Sequence, residues 1–103
     1  MSQLAKVFTR ASTGLDAPVV TIEVHISGGL PGFSIVGLPE GAVKESKDRV
    51  RSALINSNFK LPRGRITVSL APANLPKRGG RYDLPIALGV LLASGQIKPS
   101  VDV

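Results

Sequence analysis

The pattern of apolar and polar residues along the chain predicts four strands. Residues 18–27 show it most clearly, because apolar and polar side chains alternate there as they do in a strand with one buried face. Residues 65–70 alternate in the same way, residues 4–10 are typical of a first strand, and residues 33–38 are apolar on both faces, which indicates an interior strand. Short turns join the first three strands, so we expect an antiparallel meander.

Apolar residues at helical spacing predict a first helix over residues 40–57. One side of this helix faces the core, and the other carries a basic face formed by Lys44, Lys47 and Arg51. Such a face is either solvated or a contact for DNA or a neighbouring subunit. Acidic residues four positions before basic ones also predict two ion pairs along the helix: Glu40 with Lys44, and Glu45 with Arg49.

A second helix follows a loop that is rich in Pro, Gly and Arg. Asp83 is expected to cap its N-terminus, Pro85 suits its first turn, and Gly95 is expected to end it. The residues between are almost all apolar, so this helix should be covered on most sides. The predicted order of elements is β-β-β-α-β-α, an α+β fold.

The loop before the second helix is the best candidate for a functional site. Its two adjacent glycines free the backbone, so that N–H groups can point at an anion near the positive end of the helix. Three cations surround these glycines, and phosphate is the obvious anion. An intersubunit salt bridge and a structural pair between Arg81 and Asp83 are the alternatives. The candidate residues for anion or DNA binding are Lys77, Arg78, Gly79, Gly80 and Arg81.

The distribution of charge favours an anionic partner. The chain has 103 residues, the size of one small domain, and a net charge of +6. Residues 60–81 form a basic stripe. Such a stripe favours nucleic acid as the partner, although a solvated basic face without a partner would have the same composition. Residues 60–81 contain no acidic residue, and their cations are Lys60, Arg63, Arg65, Lys77, Arg78 and Arg81.

Composition also excludes several kinds of site. The chain has no cysteine, so disulfides, Cys-based zinc sites and thiol chemistry are excluded. His25 is the only histidine and is predicted to be an ordinary exposed side chain, so we expect no metal site and no catalytic residues. A P-loop pattern does not occur, so this segment should not hydrolyse ATP by itself. The absence of a targeting signal or a long apolar run predicts a cytoplasmic protein with no membrane contact.

Four strings of the sequence resemble the N-terminal domain of the magnesium-chelatase-like ComM family: TRAS at 9–12, VGLPE at 36–40, VRSALINS at 50–57 and most of 70–89. The resemblance covers nearly the whole chain. It implies the fold of the second domain of ribosomal protein S5, shared with the proteolytic domain of Lon and known for a left-handed crossover. Residues 76–83 fit over the loop that carries the Lon nucleophile and place Arg81 at its serine, so no peptidase activity is implied.

The resemblance also implies a function. In that family the domain precedes an AAA+ ATPase module, where ATP and Mg²⁺ would bind, and the competence protein of the family is known as a hexameric DNA helicase that promotes branch migration in natural transformation. We therefore expect a non-catalytic accessory domain that contacts DNA or assembles the ring, within a larger protein whose domain continues past residue 103. The alternatives are a pure oligomerisation module without DNA contact and a regulatory part of a magnesium-chelatase-type metal insertase.

Overall fold

The computed structural model describes residues 3–10, 19–72 and 82–98. The described chain is an α+β structure in which a four-stranded sheet is combined with two helices. The predicted order β-β-β-α-β-α is confirmed. In chain order the elements are β1 (Gln3–Arg10), β2 (Val19–Ser27), β3 (Gly32–Val36), α1 (Glu40–Asn56), β4 (Arg65–Ala71) and α2 (Asp83–Ala93).

The order of strands across the sheet is β1-β2-β4-β3. β2 pairs antiparallel with both β1 and β4, whereas β3 pairs parallel with β4. The predicted meander is therefore wrong, because β4 separates β2 from β3. The reason is that α1 carries the chain back across the sheet between β3 and β4, as parallel pairing requires. β3 is an edge strand rather than an interior one, and its Val36 is 59% exposed.

The predicted alternation in β2 and β4 is confirmed. Both helices lie on the face of the sheet that these strands bury: α2 packs on β1 and β2, and α1 packs beside α2 and β3. The opposite face is open and carries exposed apolar side chains such as Leu4 and Phe8 beside polar ones. The molecule thus has two layers around one core. The buried residues of the two central strands are Val20, Ile22, Val24, Ile26, Ile66, Val68 and Leu70.

The second helix lies unusually close to the sheet at Gly89. A Cβ placed there would lie only 2.6 Å from Cγ2 of Val24 on β2, closer than packed carbon atoms approach. The expectation that α2 is covered on most sides holds for the residues that face the sheet, such as Ile86 and Val90, which are fully buried. It does not hold for Leu84, whose side chain is 69% exposed.

The two helices end in the same way. At the end of α1, Asn58 has a positive φ of 66° and the N–H of Phe59 donates to the carbonyl of Leu54 at 2.9 Å. At the end of α2, Gly95 has a φ of 78° and the N–H of Gln96 donates to the carbonyl of Leu91 at 3.0 Å. Both arrangements satisfy free carbonyls of the last turn. The predicted end of the second helix at Gly95 is therefore confirmed.

Candidate nucleic-acid interface

The predicted anion-binding loop lies outside the described residues. Its candidate residues are Lys77, Arg78, Gly79, Gly80 and Arg81, and their role stays a prediction. The structure describes what comes before and after them: β4 ends at Ala71, and Tyr82 leads directly into α2. The loop therefore connects the second central strand of the sheet to the N-terminus of a largely buried helix.

Asp83 does not cap the second helix, contrary to the sequence prediction. It is the first residue of α2, the N-cap position is Tyr82, and that position makes no side-chain cap hydrogen bond. The Asp83 carboxylate instead accepts from Oγ of Ser46 at 2.9 Å and, through its other oxygen, from Nε of Arg49. Both donors belong to α1. The residue therefore joins the two helices, which a pattern read along one helix does not reveal.

Arg49 stands between two acidic residues. It also donates to Glu45 at 3.4 Å, which confirms the ion pair predicted for these two residues. The hydrogen bond to Asp83, together with the nearby acidic charge, raises the pKa of the Arg49 guanidinium further above its usual range. Arg49 therefore stays charged over the whole pH range in which proteins are folded. Its positive charge offsets the negative charge of the Asp83 carboxylate at the N-terminus of α2.

The basic face predicted on α1 is only partly free. Lys47 donates from Nζ to the carbonyl of Phe33 at 3.2 Å, which ties the helix to the edge strand β3. Arg51 places its Cζ 6.0 Å from the centroid of the Phe33 ring and pairs with Asp48 at 3.5 Å. Lys44 is exposed, and within the described ranges it has no ion pair, so the pair predicted with Glu40 is not formed.

Folding brings a further cation to the edge strand β3, which Lys47 and Arg51 also contact. Arg65 is the first residue of β4 and lies opposite Gly32 of β3 in the parallel pairing. A Cβ placed on Gly32 would lie 3.3 Å from Nη1 of Arg65, so the Arg65 side chain covers this glycine. Gly32 and Phe33 are consecutive in an edge strand, so Arg65 and Arg51 approach β3 from opposite faces of the sheet. The sequence places Arg65 in the basic stripe, but only the parallel pairing of β3 with β4 shows that it reaches the same edge strand as Lys47 and Arg51, from the other face of the sheet.

Comparison with known proteins identifies the family. The model of the family described as "Subunit ChlI of Mg-chelatase" matches residues 22–103. The competence protein ComM of Haemophilus influenzae is 66% identical over 97 residues, which are 94% of this chain and 19% of that protein. The uncharacterised protein YifB of Escherichia coli is 62% identical over 94 residues, 91% of this chain and 19% of its own.

The chain belongs to the ChlI family of magnesium-chelatase-like proteins. An uncharacterised protein of Mycobacterium bovis is similar at lower identity, with 48% over 96 residues, which are 93% of this chain and 19% of that protein. The chain spans about a fifth of the length of these curated relatives. The resemblance stated from the sequence strings is thereby confirmed at the level of the family.

The described part of this ChlI-family chain contains no set of residues arranged for metal binding. Within residues 3–10, 19–72 and 82–98, groups of three His, Cys, Asp or Glu side chains that could hold a metal ion do not occur. His25 is exposed on the open face of the sheet, as predicted, beside Leu4, Glu23, Thr67 and Ser69. In the same ranges, both helices are too short or too polar to cross a membrane.

Proposed function

We propose that this chain is a non-catalytic accessory domain of a ComM-type AAA+ DNA motor and that it contacts the DNA backbone. The observation that carries the proposal is the placement of its positive charge. Between α1 and the start of β4, within the described part of the chain, four exposed cations have no acidic partner, and the candidate loop adds three more before α2. The four are Lys44, Lys60, Arg63 and Arg65.

The Asp83 contacts support a role for the loop. A carboxylate in the first turn of α2 would repel a phosphate that approaches the positive end of this helix. Ser46 and Arg49 occupy its two oxygens, and Arg49 offsets its charge. The helix end therefore stays compatible with an anion bound by the N–H groups of the loop. Lys77, Arg78 and Arg81 would then contact phosphates without reading base sequence.

The resemblance to the ComM family supplies the wider setting of this proposal. The domain would precede an AAA+ module that binds ATP and Mg²⁺ and assembles as a hexamer in the cytoplasm. The parallel unit β3-α1-β4 is compatible with the topology of the second domain of ribosomal protein S5, which we propose as the fold. The metal-insertase alternative rests on the family's name, and no contact described above favours it.

The test is a fluorescence-anisotropy titration with duplex, single-stranded and four-way-junction DNA at low and moderate salt. The chain should bind duplex and junction DNA, and its affinity should fall as the salt concentration rises. The slope of log affinity against log salt concentration should be about −0.9 for each phosphate neutralised. The variant Arg78→Ala, Arg81→Ala should bind more weakly. The matched control is Lys6→Ala, Lys98→Ala, which removes two exposed cations elsewhere on the molecule.

Two results would contradict the proposal. One is an absence of DNA binding by the chain at low salt. The other is an equal loss of affinity in the loop variant and in the control, because net charge alone would then explain the binding.

An oligomerisation module is the second candidate, favoured by the apolar groove between the helices. Leu84 is 69% exposed, and with Leu88, Ala53 and Phe59 it lines a groove of about 200 Å³. Exposed apolar surface of this kind is typical of subunit contacts. If the groove is such a contact, sedimentation should show a mass that rises with concentration, and Leu84→Glu should abolish the rise. A constant monomer mass would exclude this function for the chain by itself.

A further inference from the structure

A pocket of about 250 Å³ lies where β3 begins, between α1 and the segment that leads into β4. We call it the β3 pocket. Its walls are apolar, formed chiefly by Pro31, Phe33, Leu61 and Pro62, and among the described residues Arg51 is the one charged residue that lines it. Sites for whole small molecules usually measure about 300–1,000 Å³. The β3 pocket is therefore suited to a flat apolar part of a larger ligand.

The aromatic wall of the β3 pocket is fixed in place. The backbone carbonyl of Phe33 accepts a hydrogen bond from Lys47 at 3.2 Å, and the Arg51 guanidinium lies 6.0 Å from the ring centroid. A cation at this distance is attracted to the face of an aromatic ring. Arginine and an aromatic ring held together form a flat surface on which a nucleic-acid base can stack.

Cations flank this surface on both faces of the edge strand. Arg51 lies on the helix side of β3 and Arg65 on the open side, while Arg63 is exposed two residues before Arg65. Arg63 and Arg65 have no ion pair in the described part of the chain, and the pair of Arg51 with Asp48 is exposed and therefore weak. A nucleic-acid backbone that crosses the edge of the sheet at β3 would therefore have a guanidinium near its phosphates on each side of the pocket, Arg51 on one side and Arg65 on the other.

The floor of the pocket depends on an unusual backbone conformation. Gly64 has a φ of 99°, and a Cβ there would lie 2.4 Å from the carbonyl oxygen of Ser27. Its own carbonyl accepts from the N–H of Gly32 at 3.3 Å. Glycine is therefore required for the turn that brings Leu61 and Pro62 against β3.

We propose that the β3 pocket binds an unstacked base of a single-stranded nucleic acid, with the flanking phosphates on Arg51 and Arg65. This inference rests on the proposed nucleic-acid role of the domain but assigns the domain a second site. The β3 pocket binds a base of a single strand, whereas the loop contacts the phosphate backbone. Cations on both sides of the strand fit a polymer better than a free nucleotide, whose phosphates lie on one side of its base.

The test is a titration of the ¹⁵N-labelled chain with hexathymidylate, followed by the amide resonances in NMR. Gly32 and Gly64 report on the β3 pocket, Gly79 and Gly80 on the loop, and Gly41 serves as an internal reference. Gly32 and Gly64 should shift with the single strand. Thymidine monophosphate, the second arm, should bind at least about 10-fold more weakly, because it lacks the phosphate on the other side and the neighbouring stacked base.

Phe33→Leu should weaken hexathymidylate binding by about 5-fold or more, since base stacking on an aromatic ring is lost while an apolar side chain remains. Phe8→Leu is the matched control, because Phe8 is 66% exposed on the open face of the sheet and should not matter. Arg65→Gln should lower the dependence of log affinity on log salt by about 0.7, the value for one phosphate of a single strand. Lys6→Gln is its control, and Arg65→Gln remains informative should Phe33→Leu fail to fold.

The outcomes separate this proposal from the function proposed above. Shifts confined to Gly79 and Gly80, unchanged affinity in Phe33→Leu and Arg65→Gln, or equal binding of the mononucleotide would each overturn the β3 pocket as a single-strand site. Duplex binding lost through Arg78→Ala, Arg81→Ala would still stand in that case. Conversely, shifts at Gly32 and Gly64 in a chain that binds no duplex would support the pocket and overturn the backbone role.

Discussion

Asp83 and Ser46 join the two helices, because the buried Ser46 hydroxyl in α1 donates at 2.9 Å to the carboxylate that begins α2. The two residues are 37 positions apart in the sequence. Their contact fixes the start of α2 against α1, one residue after Tyr82 and therefore directly after the candidate loop. It thus determines where the loop ends relative to the basic face of α1.

Substitutions in this pair should show energetic coupling. Ser46→Ala should cost about 0.5–1.5 kcal/mol, the net value of one hydrogen bond. Asp83→Ala should cost more, about 1–3 kcal/mol, because it leaves the buried Ser46 hydroxyl without its acceptor. The double variant should cost less than the sum by at least about 0.5 kcal/mol. The measurement is urea unfolding of the chain and its three variants.

A matched control for this cycle is Asp48→Ala. Asp48 lies on the same helix but its ion pair with Arg51 is exposed, so the substitution should change the free energy of unfolding by less than about 0.5 kcal/mol. Strict additivity of Ser46→Ala and Asp83→Ala would show that the two side chains do not interact in solution.

Gly89 should be indispensable for packing the second helix. In Gly89→Ala the new methyl would lie 2.6 Å from Val24, and overpacking of this kind costs about 1–3 kcal/mol. The higher helix propensity of alanine would return only about 0.5–1 kcal/mol. Thermal unfolding should therefore show a lower Tm for this variant.

Gly41→Ala provides the comparison for Gly89→Ala, because Gly41 lies in α1 and a Cβ placed there would have no heavy atom within 4 Å outside its own stretch of helix. This variant should be as stable as the original chain or more stable, by up to about 1 kcal/mol. A fall in Tm of the same size in both variants would mean that the contact with Val24 is not the cause of the loss at Gly89, because Gly41→Ala makes no such contact.

The sequence predicted the elements of this fold better than their arrangement. Alternation in β2 and the apolar spacing of α1 are local properties, so they indicate which side of each element is buried, although Ala53, which has the spacing of a core residue, is exposed. The insertion of β4 between β2 and β3 depends on which strands meet after α1 crosses the sheet. The five residues of β3 contain no pattern that shows which strand will lie beside them.

The same distinction applies to the candidate site. Asp83 has the residue type and position of a helix cap, and only the packing of α1 beside α2 gives its carboxylate better donors in Ser46 and Arg49. The sequence does not single out Phe33, because the contacts that place it in the β3 pocket wall come from Arg51 and Lys47 of α1. Contacts between elements therefore account for most of what sequence reasoning missed.

The hydroxyl of Tyr82 should be dispensable. Tyr82 is 1% exposed, and in the described part of the chain its hydroxyl has no hydrogen-bond partner. A buried polar group without a partner costs about 1–3 kcal/mol. Tyr82→Phe keeps the ring and should therefore leave the free energy of unfolding unchanged or raise it. A loss of more than about 0.5 kcal/mol would instead show that the hydroxyl is paired in solution.

Lys44 and Lys47 should separate binding from stability on the basic face of α1. Lys47 donates to the Phe33 carbonyl, so Lys47→Met should lower the stability of the chain, by about 0.5–1.5 kcal/mol for one hydrogen bond. Lys44 is exposed and has no ion pair in the described ranges, so Lys44→Met should leave unfolding in urea unchanged. If α1 contacts DNA, Lys44→Met should still weaken duplex binding and reduce its salt dependence by about 0.9, the value for one phosphate. Unchanged binding in Lys44→Met together with a stability loss in Lys47→Met would mean that this face is structural and solvated, and that DNA contact belongs to other cations.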